Sequence, residues 1–314
     1  MFKNNKSVAI LMSTYNGEKF ISEQIESIIA QSFVDWNLYI RDDGSLDETV
    51  NIIKKYEREN ENIFFINSEQ DGNIGVISSF LFLLDSVQSD FYMFADQDDV
   101  WLKDKIKKVY KLHEYSTEPL LVYSNLKLVD SNLNSLGNNM IEANKLSKKI
   151  ELRNLLTQNS VTGCTMFFNN SLKTELQKTS DFKDALMHDW WIALIAQTRG
   201  KIIFLDEPTI LYRQHENNVV GSKSSISRIF KGYGLKEMTS AVLKTKEQAK
   251  AFYHVYKNDI SSKDEILIKN YLELFEVNIF KKMKILKNNK YYKTGNIRNL
   301  FFYLIILFLI TNNQ

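Results

Sequence analysis

Five apolar residues, Phe91 to Ala95, run directly into Asp96-Gln97-Asp98-Asp99, three acids within four positions. A short apolar run of this kind is a buried strand, and its abrupt acidic end is the strongest constraint in the chain. In an open α/β sheet, ligands bind beyond the carboxyl ends of the strands. Carboxylates crowded there repel, and a shared proton or a bound cation relieves the repulsion. Oxygen ligands suit a hard ion such as Mg²⁺ or Mn²⁺, which also takes oxygens from a substrate phosphate. The competing reading of the same residues is a solvated acidic turn ahead of a helix.

The segments before Phe91 repeat this layout. Val8 to Met12 reads as a buried strand ending at Ser13-Thr14-Tyr15-Asn16-Gly17. Phe20, Ile21, Gln24, Ile25, Ile28 and Ile29 follow at helical spacing. Leu38-Tyr39-Ile40 is a second strand, ending at Arg41-Asp42-Asp43-Gly44-Ser45. Ser45 and Glu48 have the spacing of a capping box, so a helix is expected from there towards Tyr56. Ile63 to Ile66 is a third strand, Asp71 to Gly75 a loop, and Phe80 to Leu84 part of the next helix. Strand and helix thus alternate, as in a parallel sheet covered by helices. Neither G-x-G-x-x-G nor G-x-x-x-x-G-K-S/T occurs, which argues against an ordinary dinucleotide or P-loop enzyme. A diphosphate in this pocket needs another counter-charge, and a cation held by Asp98 would supply it.

Beyond the Phe91 strand, Asp104 to Glu114 is expected as a helix. Leu120 to Tyr123 reads as a strand and Asn125 to Gly137 as turns. Leu152, Leu155 and Leu156 mark a helix, and Val161 to Phe168 a strand containing Gly163. A helix opens at Met187-His188-Asp189-Trp190-Trp191 and stops at Gly200. Ile202 to Leu205 and Thr209 to Tyr212 are strands on either side of Pro208.

From Ser222 the chain reads as helical and basic. Lys281, Lys282, Lys284, Lys287, Lys290, Lys293 and Arg298 precede the apolar run Leu300 to Ile310. Eleven residues fall short of the roughly 20 that span a bilayer. The run fits an interfacial helix on anionic lipid, a buried terminal helix, or one side of a homodimer. The lone Cys164 excludes an internal disulfide and fits a reducing compartment. The apolar stretch at Val8 is too short for a secretory signal, and a net charge of +2 gives no reason to expect nucleic acid.

The motifs Ser13-Thr14-Tyr15-Asn16-Gly17, Asp42-Asp43-Gly44-Ser45, Asp96-Gln97-Asp98-Asp99-Val100-Trp101, His188-Asp189-Trp190-Trp191 and Tyr212-Arg213-Gln214-His215 together resemble the family 2 glycosyltransferases. More narrowly, they resemble the bacterial rhamnosyltransferases of capsule and cell-wall polysaccharide assembly. The resemblance covers about residues 7 to 221. It implies a GT-A-type α/β fold: a Rossmann-like, mostly parallel central sheet flanked by helices, with a helical C-terminal extension. It divides the chain into a nucleotide-sugar-binding half (1–115), an acceptor-binding and catalytic half (116–221) and the basic helical region (222–314).

The resemblance also implies roles. Ser13, Tyr15 and Asp43 line the base and ribose pocket. Asp96 approaches the ribose or the metal-bound phosphate, Asp98 is the direct ligand of Mg²⁺ or Mn²⁺, and His215 meets the metal or diphosphate. Asp189 is the general base of an inverting transfer. Many relatives have Glu before that aspartate where this chain has His188, whose charge either tunes the base or whose ring donates a hydrogen bond beside it. Trp101 belongs either to the core or to a sugar-stacking wall. The implied donor is dTDP-β-L-rhamnose, with UDP-hexoses next, and the implied acceptor is a lipid-linked oligosaccharide at the cytoplasmic face of the membrane. The residues alone leave other readings open. Asp189 has the chemistry of a helix cap, and His215 that of a surface histidine. A nucleotidyltransferase and a silent nucleotide-sugar-binding scaffold use related layouts.

Overall fold

The computed structural model describes residues 7–66, 72–113, 117–179, 182–215 and 234–310. Asp71, Glu114 and the boundaries expected after residues 115 and 221 lie outside these. Two compact units are formed. The first comprises Met1–Met140, Val161–Glu175 and Gly200–His215, and the second Ile141–Ser160, Leu176–Arg199 and Glu216–Gln314.

The strands are β1 (Val8–Thr14), β2 (Trp36–Asp42), β3 (Ile63–Phe65), β4 (Phe91–Ala95), β5 (Val100–Trp101), β6 (Leu120–Val129), β7 (Ser135–Asn139), β8 (Met166–Asn169) and β9 (Lys201–Arg213). All lie in the first unit, in one sheet ordered β3-β2-β1-β4-β8-β6-β9-β5, with β7 paired to β6. β1 to β4 are mutually parallel. Beyond β4 the pairing is mixed: β8 is antiparallel to β4 and β6, whereas β6 and β9 are parallel. The apolar runs are explained by burial on both sheet faces. Ile10, Leu11, Met12, Leu38, Ile40, Met93, Phe94 and Ala95 have no exposed surface, and burying a large apolar side chain is worth about 1.5–3 kcal/mol. Parallel order brings the carboxyl ends of β1, β2 and β4 to one edge.

The helices of the first unit begin with α1 (Ile21–Ile29), α2 (Thr49–Glu59), α3 (Val76–Ser86) and α4 (Lys105–Tyr110). On α1, Ile21, Ile25 and Ile28 are buried at helical spacing together with Gln24. A polar row on the same helix, continued by Gln31 just past its end, holds the backbone after β4. Gln24 Nε2 donates to the Asp96 carbonyl (2.9 Å), Ser27 Oγ accepts the Trp101 N–H (2.9 Å), and the Gln31 carboxamide spans Leu102 O and Ile106 N. The acidic loop is therefore held by α1 at both of its ends.

Several expectations change in the structure. The capping box at Ser45 does not form: α2 starts at Thr49 without a side-chain cap. Ser45 is engaged elsewhere, its Oγ accepting the Asn16 N–H at 2.7 Å. α4 stops at Tyr110. β6 continues through Asn125 to Val129 because β9 runs beside it, so part of the expected turn region is strand. The two strands around Pro208 are one, and the irregularity appears as a register shift opposite Ser124 and Asn125. Gly163–Thr165 forms a 3₁₀ turn ahead of β8.

The remaining helices are α5 (Met140–Asn144), α6 (Leu152–Leu155), α7 (Asn170–Leu176), α8 (His188–Arg199), α9 (Gly234–Tyr256), α10 (Ser262–Glu273), α11 (Ile279–Asn289) and α12 (Asn296–Leu304), which continues as a π-turn to Leu309. The second unit has its own aromatic core. Trp191 meets Phe252 edge-on at 5.5 Å, Phe252 stacks on Tyr256 at 4.8 Å, and Tyr271 packs on Tyr291 at 5.2 Å. Their polar ends are satisfied: Trp191 Nε1 donates to Thr179 Oγ1 and the Tyr271 hydroxyl pairs with Thr245. No helix among the described residues is long and apolar enough to cross a membrane.

Candidate active site

At the sheet edge the loops after β1 and β2 are joined by a set of hydrogen bonds. Asn16 takes a positive φ of 47°; its N–H donates to Ser45 Oγ and its side-chain oxygen accepts the Leu46 N–H at 2.9 Å. Gly17 N–H donates to Thr49 Oγ1 at 2.8 Å. Gln97, between the acids, bonds the Tyr15 backbone twice: Oε1 accepts its N–H at 2.8 Å and Nε2 donates to its carbonyl at 3.0 Å. A Cβ at Gly17 would overlap the Gln97 carboxamide and push it from its bonds to Tyr15. The Tyr15 ring remains 47% exposed, at the end of the strand that carries the half-buried Ser13.

Asp43 is buried, and its carboxylate is committed to the protein. It accepts Arg41 Nη1 at 2.7 Å and the N–H groups of Ile74 and Gly75 at 2.8 and 2.9 Å. Arg41 also donates to Ser79 Oγ at 2.7 Å. Asp43 thus holds the turn before α3. Asp42 does the same for its own loop, accepting the N–H groups of Gly44 and Ser45.

The acids after β4 have different environments. Asp98 Oδ2 lies 2.7 Å from His215 Nε2, both side chains part-exposed. Asp99 is fully buried, and burial, reinforced by the charges of Asp96 and Asp98, pushes its carboxyl well above the usual range. Asp96, Asp99 and the buried Cys164 also place ligand atoms within 4.8 Å of one another. Burial raises the Cys164 thiol strongly, and the Lys105 ammonium, bonded to the Cys164 carbonyl at 2.8 Å, sits beside it. A buried thiol is a poor ligand for a hard cation, which takes oxygens. The part-exposed Asp98 carboxylate, with Asp96, supplies oxygen ligands, and the His215 imidazole beside Asp98 would add a nitrogen, so these are the residues that would hold Mg²⁺ or Mn²⁺. Trp101 is buried, 4.4 Å below the Lys105 ammonium. Burial lowers Lys105 to about 8.

Asp98 and His215 are 117 positions apart, and the sheet brings them together. β5 pairs antiparallel with β9, Val100 opposite Leu211 and Trp101 opposite Ile210. That register delivers Arg213, a residue given no role by sequence reasoning. Its guanidinium is buried and donates in three directions: Nε to the Asp98 carbonyl (2.8 Å), Nη1 to Ser131 O (2.6 Å) and Nη2 to Glu23 (2.7 Å). Its backbone N–H reaches Asp99 Oδ1 at 3.3 Å, and the Phe20 ring packs 4.4 Å from the guanidinium and 5.1 Å from His215. The available signal was an arginine directly after the apolar run Ile210-Leu211-Tyr212, where a charge survives only if fully paired.

His188 and Asp189 belong to the second unit, in the first turn of α8. One Asp189 oxygen accepts Asn159 Nδ2 at 3.0 Å and the Trp190 N–H at 2.6 Å, and Trp190 Nε1 is anchored on Leu155 O. Burial drives His188 down to about 3. Burial thus favours the neutral ring and works against a positive charge beside Asp189.

With its mixed sheet, acidic strand end and helical C-terminal elements, the protein is a GT-A-type glycosyltransferase, an enzyme class that uses nucleotide sugars. The chain belongs to glycosyl transferase family 2, whose model matches residues 9–174. It is 32% identical over 237 residues to the dTDP-rhamnosyl transferase RfbG of Shigella flexneri, covering 71% of this chain and 78% of that protein. Among solved structures it resembles Staphylococcus aureus TarS in complex with UDP (TM-score 0.56, 17% identity, 90% of this chain and 89% of that one). It also resembles the mannosyltransferase PcManGT of Pyrobaculum calidifontis in complex with GDP-Man and Mn²⁺ (TM-score 0.53, 13% identity, 99% and 88%).

Two predictions follow from this geometry. Arg213→Lys replaces a planar three-way donor by a point charge and leaves buried carbonyls unpaired. Urea unfolding should show a loss of about 2–3 kcal/mol, and transfer activity should fall at least tenfold. Wild-type values for both would refute the positioning role. For His188, the unfolded chain binds a proton below its ordinary value near 6.5 while the folded chain does not. Folding stability should then fall as pH drops from about 6.5 towards 3, by up to ~1.4 kcal/mol per pH unit. Chemical denaturation at pH 7 and pH 5 should show a smaller difference in His188→Gln than in wild type.

Proposed function

We propose that the protein is a metal-dependent inverting rhamnosyltransferase, taking L-rhamnose from dTDP-β-L-rhamnose and adding it to a lipid-linked polysaccharide precursor at the inner face of the cell membrane. The observation that carries the metal-dependent part is the Asp98–His215 pair, held by Arg213 at the edge where β1, β2 and β4 end. The similarity to RfbG supports the donor.

In this reading Ser13, Tyr15 and the Asp43-braced turn receive the nucleoside, the exposed Tyr15 ring offering an apolar face to the base. Asp96, Asp98 and His215 face the diphosphate. When bound, the cation offsets the charge that grows on the leaving diphosphate. Asp189 takes the proton of the acceptor hydroxyl as its oxygen attacks the anomeric carbon. The bond from that carbon to the diphosphate breaks on the opposite face, so a β-linked donor gives an α-linked product. Asn159 and the Trp190 N–H orient the Asp189 carboxylate, and a neutral His188 places no cation beside it.

Calorimetry and steady-state kinetics test these roles. Wild type should bind dTDP more tightly than UDP, and more tightly with Mn²⁺ present. Asp98→Ala should lose the Mn²⁺-dependent part of binding, a fall of tenfold or more. Asp189→Asn should keep nucleotide binding while kcat falls by about 10²–10⁴. Folded wild type that binds neither nucleotide, or Asp189→Asn turning over at the wild-type rate, would refute the assignment.

A further inference from the structure

From Val277 to Gln314 the sequence contains no acidic residue and seven basic ones, although the whole chain carries only +2. The rest of the chain is therefore net negative. This charge separation coincides with an apolar face. On α11, Lys282, Ile285 and Leu286 are buried, whereas Phe280 is 81% and Met283 55% exposed. Phe280, Met283, Lys284 and Lys287 follow at i, i+3, i+4 and i+7, so two apolar and two basic exposed side chains share one stripe. On α12 and its π-turn, Phe302, Ile305 and Ile306 point inward while Ile297, Leu300, Leu304 and Phe308 are exposed at spacings of three and four. The two elements are tied together: the buried Lys282 Nζ donates to the carbonyls of Ile306, at 2.9 Å, and Ile310. The Tyr303 hydroxyl donates to Tyr291 O at 2.9 Å.

We infer that this exposed face of α11 and α12 is a docking surface for an anionic phospholipid leaflet, in which the apolar side chains enter the interfacial layer and Lys284 and Lys287 meet the headgroups. The inference deepens the lipid-linked-acceptor reading, on which its biological purpose rests. Lysine stems lie along apolar surface while their ammonium groups stay in the headgroup zone. Each basic residue beside an anionic surface strengthens binding about fivefold. Lys281 is engaged by Glu273 and is left out of the count. A second copy of the chain is a poorer occupant, because the exposed Lys284 and Lys287 of two copies repel when brought together.

The test is co-sedimentation of the full-length protein with vesicles of phosphatidylcholine alone or with roughly a third phosphatidylglycerol. Wild type should sediment with the anionic vesicles and not the neutral ones, and added salt should weaken binding. Lys284→Gln/Lys287→Gln and, separately, Phe280→Ser/Leu300→Ser/Phe308→Ser should each weaken it about tenfold or more with unchanged circular dichroism, since all five side chains are solvent-facing. The inference is overturned by wild type that ignores anionic vesicles or binds both kinds equally. It is equally overturned by variants that bind like wild type, or by a dimer in gel filtration that the serine variant dissolves while vesicles are ignored. Calorimetric dTDP binding by the same preparations separates the two ideas. Protein that binds dTDP but ignores vesicles overturns only the lipid surface, and protein that binds vesicles but not dTDP overturns only the dTDP-rhamnose reading.

Discussion

A single buried guanidinium holds the candidate metal site together. Arg213 sits at the end of β9, bonds the carbonyl beside the Asp98 side chain, and reaches Ser131 and Glu23 with its remaining nitrogens. Taking a charged group out of water is costly and is offset only when its donors are met in good geometry. Here three directions are met, and the Phe20 ring covers the face. What the arrangement achieves is position: a carboxylate from one loop and an imidazole from a distant strand end are set 2.7 Å apart before any ligand arrives. Preorganisation of this kind is what a site for a diphosphate without a glycine cradle requires.

The other side of the pocket uses the same device at smaller scale. Arg41, buried at the end of β2, pairs with Asp43, and Asp43 in turn holds the turn ahead of α3. Gln97 spans from the acidic loop to the Tyr15 backbone. This end of the sheet is therefore a frame of side-chain-to-backbone bonds between loops that follow adjacent parallel strands. A change in any one of these side chains would act on the others through that frame.

The β–α alternation up to Ala95 was legible from the sequence because β1 and β4 are buried on both faces and each helix shows its stripe locally. The acidic strand end and the residues Asp98 and His215 were legible as chemistry, and the resemblance supplied their roles. What was not legible came from long-range pairing. Asn125 to Val129 looks like turn sequence but is held as strand by β9, and Pro208 interrupts the register without ending the strand. Ser45 and Glu48 matched a capping box, yet the serine is taken by Asn16, a residue 29 positions away. Arg213 was hidden for the same reason: its partners come from α1, from the β4 loop and from the chain after β6. In the second unit the basic and apolar pattern after Val277 was visible, but only the structure separates Lys282, buried as a clasp, from Lys284 and Lys287, which face solvent.

The most direct measurement is a crystal structure grown with dTDP and Mn²⁺, with the metal located by its anomalous signal. The account predicts a single peak at coordination distance from the Asp98 carboxylate and His215 Nε2, against the diphosphate, with the Arg213 bonds unchanged. A peak at the Asp96–Asp99–Cys164 cluster, or a bound nucleotide with no metal beside Asp98, would contradict it.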